Sequence, residues 1–202
     1  MFALHSVLFP GERLGLRVFE DRYLRMMEAV LPDRPFVVTA IRQGREVSGP
    51  AELFRVGVTV AVRDHAVDTD GTIEVDAVGR ERVALIEQLA SEPYPLWRTA
   101  PFPDEGGGGT DDIEGAARAF HRFLQATGLA DEIPAIPREP VVAGYVLAAA
   151  VPALLPQRQR LLEAPGAGER LRLVREAFAM EARLISTLHA GVAGADPAVN
   201  PN

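Results

Sequence analysis

The chain contains no cysteine and no lysine; every one of its 21 Lys-or-Arg positions is Arg. Without Lys there is no Walker A loop, whose Lys reaches the β- and γ-phosphates of a nucleotide. A Ser-Lys dyad and a Schiff-base Lys are excluded on the same ground. Without Cys, thiol catalysis, disulfides and Cys-ligated zinc are excluded, and the redox compartment is left open. Ser6, Ser48, Ser91 and Ser186 lack the flanks of a nucleophile elbow. His5, His65, His121 and His189 lie far apart and show no H-E-x-x-H spacing, so neither a metal nor a cofactor is expected. A long hydrophobic run is also missing. Val141 to Leu155 is shorter than the ~20 residues a membrane span needs, and Pro152 interrupts it. The N-terminus has no basic segment followed by a continuous apolar one, so a cytoplasmic protein that does not engage membranes is expected. A formal charge of −7 opposes non-specific binding to nucleic acid, which needs clustered positive charge.

What is present fits a globular α+β protein. At 202 residues and 48% hydrophobic, the chain can bury one large core or two small ones. Its first hundred residues carry strand signals. Val7-Leu8-Phe9 reads as a strand ended by Pro10-Gly11, and Leu14 to Val18 as a second. Phe36 to Ile41 is β-branched, and Arg42-Gln43-Gly44-Arg45 follows as a turn. Phe54 to Val62 places Val56, Val58, Val60 and Val62 on one face, the period of a half-buried strand. Asp70-Gly71 is a hairpin turn before Thr72 to Val78. Glu81 to Leu89 and Leu96 to Ala100 complete about six short strands, a pattern that suggests a small, partly open barrel. One helix interrupts them, from Glu20 to Leu31, with Tyr23, Met26, Met27, Val30 and Leu31 on its apolar face and Pro32 at its end.

Gly106 to Gly109 marks the clearest boundary, because four glycines are costly to order and behave as linker. The divisions predicted are a β-rich lobe over 1–104, a linker over 105–110, a helical lobe over 111–190 and a frayed tail over 191–202. Within the helical lobe, Ile113 to Ala126 is amphipathic, and Pro134, Pro137 and Pro140 break the following stretch. Val141 to Val151 is apolar all round, and Pro156 opens a short helix through Leu162. Leu171, Val174, Phe178, Ala182, Ile185 and Leu188 form a last stripe.

Three constellations invite a functional reading. Asp68 and Asp70 would be the third and fifth positions of a calcium loop with Gly71 sixth, but Ala66 and Ala77 stand where its first carboxylate and bidentate Glu belong. A hairpin turn explains the segment. Glu20, Arg22 and Tyr23 can be a binding site, or can lock the strand-to-helix junction with Tyr23 packed beneath. Tyr94, Trp97 and Phe102 cluster near the end of the β-rich lobe. Aromatic residues favour interfaces, and strand alternation would equally bury some of them.

The opening, Val7-Leu8-Phe9-Pro10-Gly11 followed by Leu16-Arg17-Val18-Phe19-Glu20-Asp21-Arg22-Tyr23, closely resembles that of the Lon protease N-terminal domain. Arg42-Gln43-Gly44-Arg45-Glu46-Val47, Val56-Gly57, Asp70-Gly71, Gly79-Arg80-Glu81-Arg82-Val83, Pro93-Tyr94-Pro95, Leu161-Leu162-Glu163 and Arg170-Leu171 follow in that family's order. Val58 and Val83 depart from it, standing where the family has Thr and Phe. The resemblance implies a PUA-like β-barrel lobe followed by a helical lobe, and a domain that holds protein substrates without catalysis of its own. A stand-alone chain of this kind would bind unfolded polypeptide or a partner protein, a separate protease among them, with Tyr94, Trp97 and Phe102 as the candidate surface. The PUA-like barrel leaves an RNA-binding module as the alternative. It would require a basic stripe, and Arg80/Arg82 and Arg158/Arg160 sit instead among acids.

Overall fold

A computed structural model describes residues 1–44, 52–129 and 135–193 of the chain, with side chains to Leu188. The expected features at Arg45 to Val47 and Pro134, and most of the tail, lie outside the described residues. The fold is α+β: a mixed sheet is built first, and every described element after it is a helix.

The strands are β1 (Phe2–Leu4), β2 (Arg13–Val18), β3 (Phe36–Gln43), β4 (Glu52–Leu53), β5 (Val56–Val67), β6 (Ile73–Ala90) and β7 (Leu96–Pro101). Their order is β1-β3-β5-β6-β2, with β4 on β3 and β7 on β6. β1 runs parallel to β3 and the other pairs are antiparallel. Val56, Val58 and Val60 are buried, as the alternation requires. The stretches expected as two strands, 72–78 and 81–89, are one 18-residue strand, β6. It carries β2 along Ile73 to Val78 and β7 along Val83 to Ala90, both on the edge opposite β5.

Val7-Leu8-Phe9 is not a strand. The strand lies earlier, at Phe2–Leu4, and Val7, Leu8 and Phe9 are irregular and all buried. The physical reason is the gap between β2 and β7 on the edge of β6. The Pro10-Gly11 turn fills it: Gly11 N–H donates to the Gly79 carbonyl at 2.9 Å, and Gly79 N–H donates to the Glu12 carbonyl at 2.9 Å. An alternating strand would turn every second side chain outward, whereas this segment plugs three consecutive ones into the core.

The helix α1 (Asp21–Val30) buries Tyr23, Met26 and Met27. Tyr23 stacks on Phe2 at 3.9 Å between centroids. Arg22 donates from Nε to Glu20 at 3.1 Å, so this pair braces the strand-to-helix junction. In the helical half, α2 (Thr110–Thr127), α3 (Pro140–Ala149), α4 (Leu155–Glu163) and α5 (Ala167–Ala193) pack around Phe120, Leu147, Leu171, Val174 and Phe178. The glycine run connects β7 to α2 and lies against the start of α5: Glu105 N–H donates to the Pro165 carbonyl at 2.8 Å, and a Cβ on Gly166 would come within 2.2 Å of the Gly106 carbonyl oxygen. Gly106, Gly107 and Gly108 all take positive φ, which glycine alone adopts without strain.

Candidate functional site

α4 ties the two halves together. Gln159 donates from Nε2 to the Val56 carbonyl on β5 at 3.0 Å. Arg158 donates to the Ala149 and Val151 carbonyls and lies over the Phe9 ring. From the other side, Arg82 of β6 reaches the end of α4, where its Nη1 donates to the Leu162 and Ala164 carbonyls, each at 2.6 Å.

Arg82 belongs to a buried polar cluster at the junction. Its Nη2 is 3.3 Å from Asp104 Oδ1, and Arg170 Nη2 approaches the same oxygen at 2.7 Å. Tyr145 donates its phenolic proton to Asp104 Oδ2 at 2.6 Å, and the Arg170 guanidinium stacks on the Tyr145 ring at 3.9 Å. Arg82 is 4% exposed and Arg170 not at all. One carboxylate therefore faces two guanidiniums, a local excess of positive charge. Burial lowers the Arg82 pKa, though a guanidinium stays protonated. Burial raises that of Tyr145, and its bond to Asp104 raises it further, so it remains a neutral donor.

Beside this cluster runs a groove of about 510 Å³, lined by Pro10, Arg80, Phe102, Val141, Val142 and Tyr145 among others. Phe102 forms part of its wall, with the Arg82 guanidinium 4.7 Å from its ring. Among the described residues, the ionisable groups that line the groove are Arg80, Glu81 and the Arg82–Asp104–Tyr145 cluster, whose members are committed to one another. Among the described residues, no group of three or more His, Asp or Glu is placed to hold a metal ion.

Trp97 and Tyr94 lie elsewhere. Past Leu85, β6 has left β5 behind and, among the described residues, pairs with β7 alone, so residues 86–98 make a two-stranded arm. Trp97 pairs with Gln88 and is half-buried, with Arg55 over its ring at 5.3 Å. Its indole Nε1 is buried without a hydrogen-bond partner among the described residues. Tyr94 stands half-buried in the turn of the arm, where the Met1 ammonium group donates to the Pro95 carbonyl at 2.9 Å. Five residues of extended chain, roughly 17 Å, separate Trp97 from Phe102. The three aromatic residues singled out by sequence thus divide between the arm and the groove.

Sequence reasoning missed the arm's most exposed apolar side chains. Ile86, Leu89 and Leu96 are 52%, 55% and 48% exposed. The register of β6 against β7 shifts between Leu85 and Glu87 and again between Gln88 and Ala90, so Ile86 and Leu89 are the extra residues at two bulges. A signal was there to read: apolar residues at 83, 85, 86 and 89 break strict alternation.

Comparison with known proteins gives the same answer from sequence and from fold. The Lon protease of Roseiflexus castenholzii is 29% identical over 83% of this chain, and that of Koribacter versatilis 27% identical over 87%. The chain spans only 22% and 23% of the length of those two proteins. The crystal structure of a Lon N-terminal domain protein from Xanthomonas campestris superposes with a TM-score of 0.59 at 25% identity, covering 85% of this chain and 92% of that one. The N-terminal domain of a Mycobacterium avium complex Lon protease shares the fold, with a TM-score of 0.65 at 14% identity. A family model described as the ATP-dependent protease La (LON) substrate-binding domain matches residues 1–178, and the chain belongs to that family.

Proposed function

We propose that this chain is a non-catalytic, cytoplasmic polypeptide-binding protein that captures unfolded segments and presents them to a partner, a separate protease among the candidates. Its β-rich half is read as PUA-like, with the arm at residues 86–98 as the capture surface. The observation that carries the reading is the concentration of exposed apolar side chains, Ile86, Leu89 and Leu96, on that short arm, which also carries Tyr94 and Trp97. Exposed apolar clusters are uncommon on soluble proteins unless they serve an interface. Recognition without sequence preference needs this kind of surface, which takes any apolar side chain. Phe102 contributes a separate subsite in the junction groove. The absence of Lys and Cys supports the non-catalytic part.

The test is capture of a labelled unfolded client such as reduced, denatured casein, followed by fluorescence anisotropy. Burial of one large apolar side chain contributes ~1.5–3 kcal/mol, about tenfold or more in affinity. Leu89→Asp and Trp97→Ala should each weaken capture by about that factor, with circular dichroism unchanged. Parental affinity in both variants would place the client elsewhere.

A further inference from the structure

The last helix presents a second apolar stripe that the core does not use. Leu171, Val174 and Phe178 of α5 are fully buried against the rest of the helical half. About a third of a turn around the helix, Leu173, Ala177, Met180 and Leu184 recur at four-, three- and four-residue spacing, the seam of a helix pair. Leu173 and Ala177 are half-buried, while Met180 and Leu184 are 62% and 51% exposed. Met180 and Leu184 also lie outside the residues 1–178 that match the family.

We infer that this stripe is the contact between two copies of the chain, with the α5 helices packed antiparallel about a twofold axis. Three observations select this occupant. The first is layering. In the antiparallel register that sets Leu184 against Leu173 of the second copy, Met180 falls against Ala177, and symmetry repeats both layers. In the Met180 layers a large side chain then meets a small one, and the Leu173–Leu184 layers pair two large apolar side chains. The second is shape. Ala177 stands on a hollow of about 180 Å³ lined by Val151, Ala153, Leu161 and Leu173, by the chain's own Met180 and by the polar Gln157, Arg160, Glu176 and Glu181, a concave seat for the second copy's Met180. Methionine, unbranched and flexible, suits such a seat. The third is charge. The same register brings Glu176, already paired with Arg172 of its own chain, opposite Arg183 of the second copy, twice over by symmetry. Arg183 has no carboxylate partner within its own chain among the described residues. Such a twofold contact is self-complementary and closes, so assembly stops at a dimer. Leu154, which leads into α4 next to Ala153 of the hollow and is strongly exposed, extends the apolar area on the flank.

Sedimentation equilibrium of the whole chain over a concentration series tests this. A reversible monomer–dimer equilibrium is expected, and Met180→Arg should abolish the dimer without lowering the melting temperature measured at dilutions where the parent is monomeric, since the side chain is exposed in the monomer. The absence of native cysteine allows the register to be read directly. A mixture of Ala177→Cys and Met180→Cys chains should oxidise to a mixed cross-linked dimer in far higher yield than either variant alone. A parental chain still monomeric at ~100 µM would overturn the inference. So would a dimer that survives Met180→Arg, or cross-linking of each single variant with itself, which signals parallel helices. Client capture lost in Met180→Arg from a monomeric parent would assign the stripe to polypeptide instead.

Discussion

Asp104 stands at the centre of the buried polar cluster at the junction. It neutralises part of the charge on two buried guanidiniums, Arg82 and Arg170, and accepts the Tyr145 proton. Removing one partner of a buried ionic cluster leaves uncompensated charge in a poor solvent, which costs ~3–5 kcal/mol. Asp104→Ala should therefore destabilise the chain by about that amount, read as a lowered midpoint in urea. Tyr145→Phe removes only one hydrogen bond and should cost about 1 kcal/mol. Equal losses in the two variants would mean that the phenol, not the charge balance, holds the junction. None of this was legible in sequence. Arg82 sits in a strand beside Glu81, and Asp104 precedes a glycine run, so both read as solvated. Only the return of α4 and α5 over the sheet brings Arg82, Asp104 and Arg170 together.

Among the elements, β6 shows how much a pattern of residues reveals and where it stops. The alternating valines of β5 and the Asp70-Gly71 turn located the central hairpin correctly, because burial of one sheet face imposes a period of two. The apolar spacing of α1, α2 and the first half of α5 was equally readable. Gly79, by contrast, suggested a break, yet it lies inside the strand. A Cβ there would come within 2.5 Å of the Phe9 carbonyl oxygen, so the glycine admits the Pro10-Gly11 turn rather than ending β6. The same contact explains why Val7 to Phe9 is no strand. Gly79→Ala should then cost on the order of 1–3 kcal/mol by overpacking. Gly15, on β2, has an ordinary φ, and a Cβ added to it would meet nothing within 4 Å. Gly15→Ala should stabilise by about 0.5–1 kcal/mol, since alanine loses less backbone entropy. Denaturation midpoints that move in opposite directions would verify the contrast, and equal shifts would refute it. The candidate site was legible only in part, because bulges decide which residues of the arm face out, and a bulge has no fixed signature in one sequence.

For the whole molecule the deciding quantity is charge. The chain carries −7, and some of its exposed arginines are matched: Arg13 with Asp76, Arg42 with Glu52, Arg98 with Glu87, Arg118 with Glu114, and Arg172 with Glu169 and Glu176. Each pair contributes little to stability in water, but each offsets one positive charge that a phosphate backbone could meet, on a chain that is net negative. Binding to nucleic acid depends on the number of phosphates neutralised and weakens steeply as salt releases that contact. The RNA-binding alternative therefore has to work against the chain's net negative charge. At ~150 mM salt, single-stranded or structured RNA should bind more weakly than micromolar, if it binds at all, whereas capture through the apolar arm should be nearly insensitive to salt. Titrating labelled RNA and labelled unfolded client in parallel from ~50 to ~300 mM salt separates the two readings. Sub-micromolar RNA affinity at the middle of that range would reverse the ranking. A client affinity that falls as steeply as a phosphate contact would show that charge, not the apolar surface of Ile86, Leu89 and Leu96, drives capture.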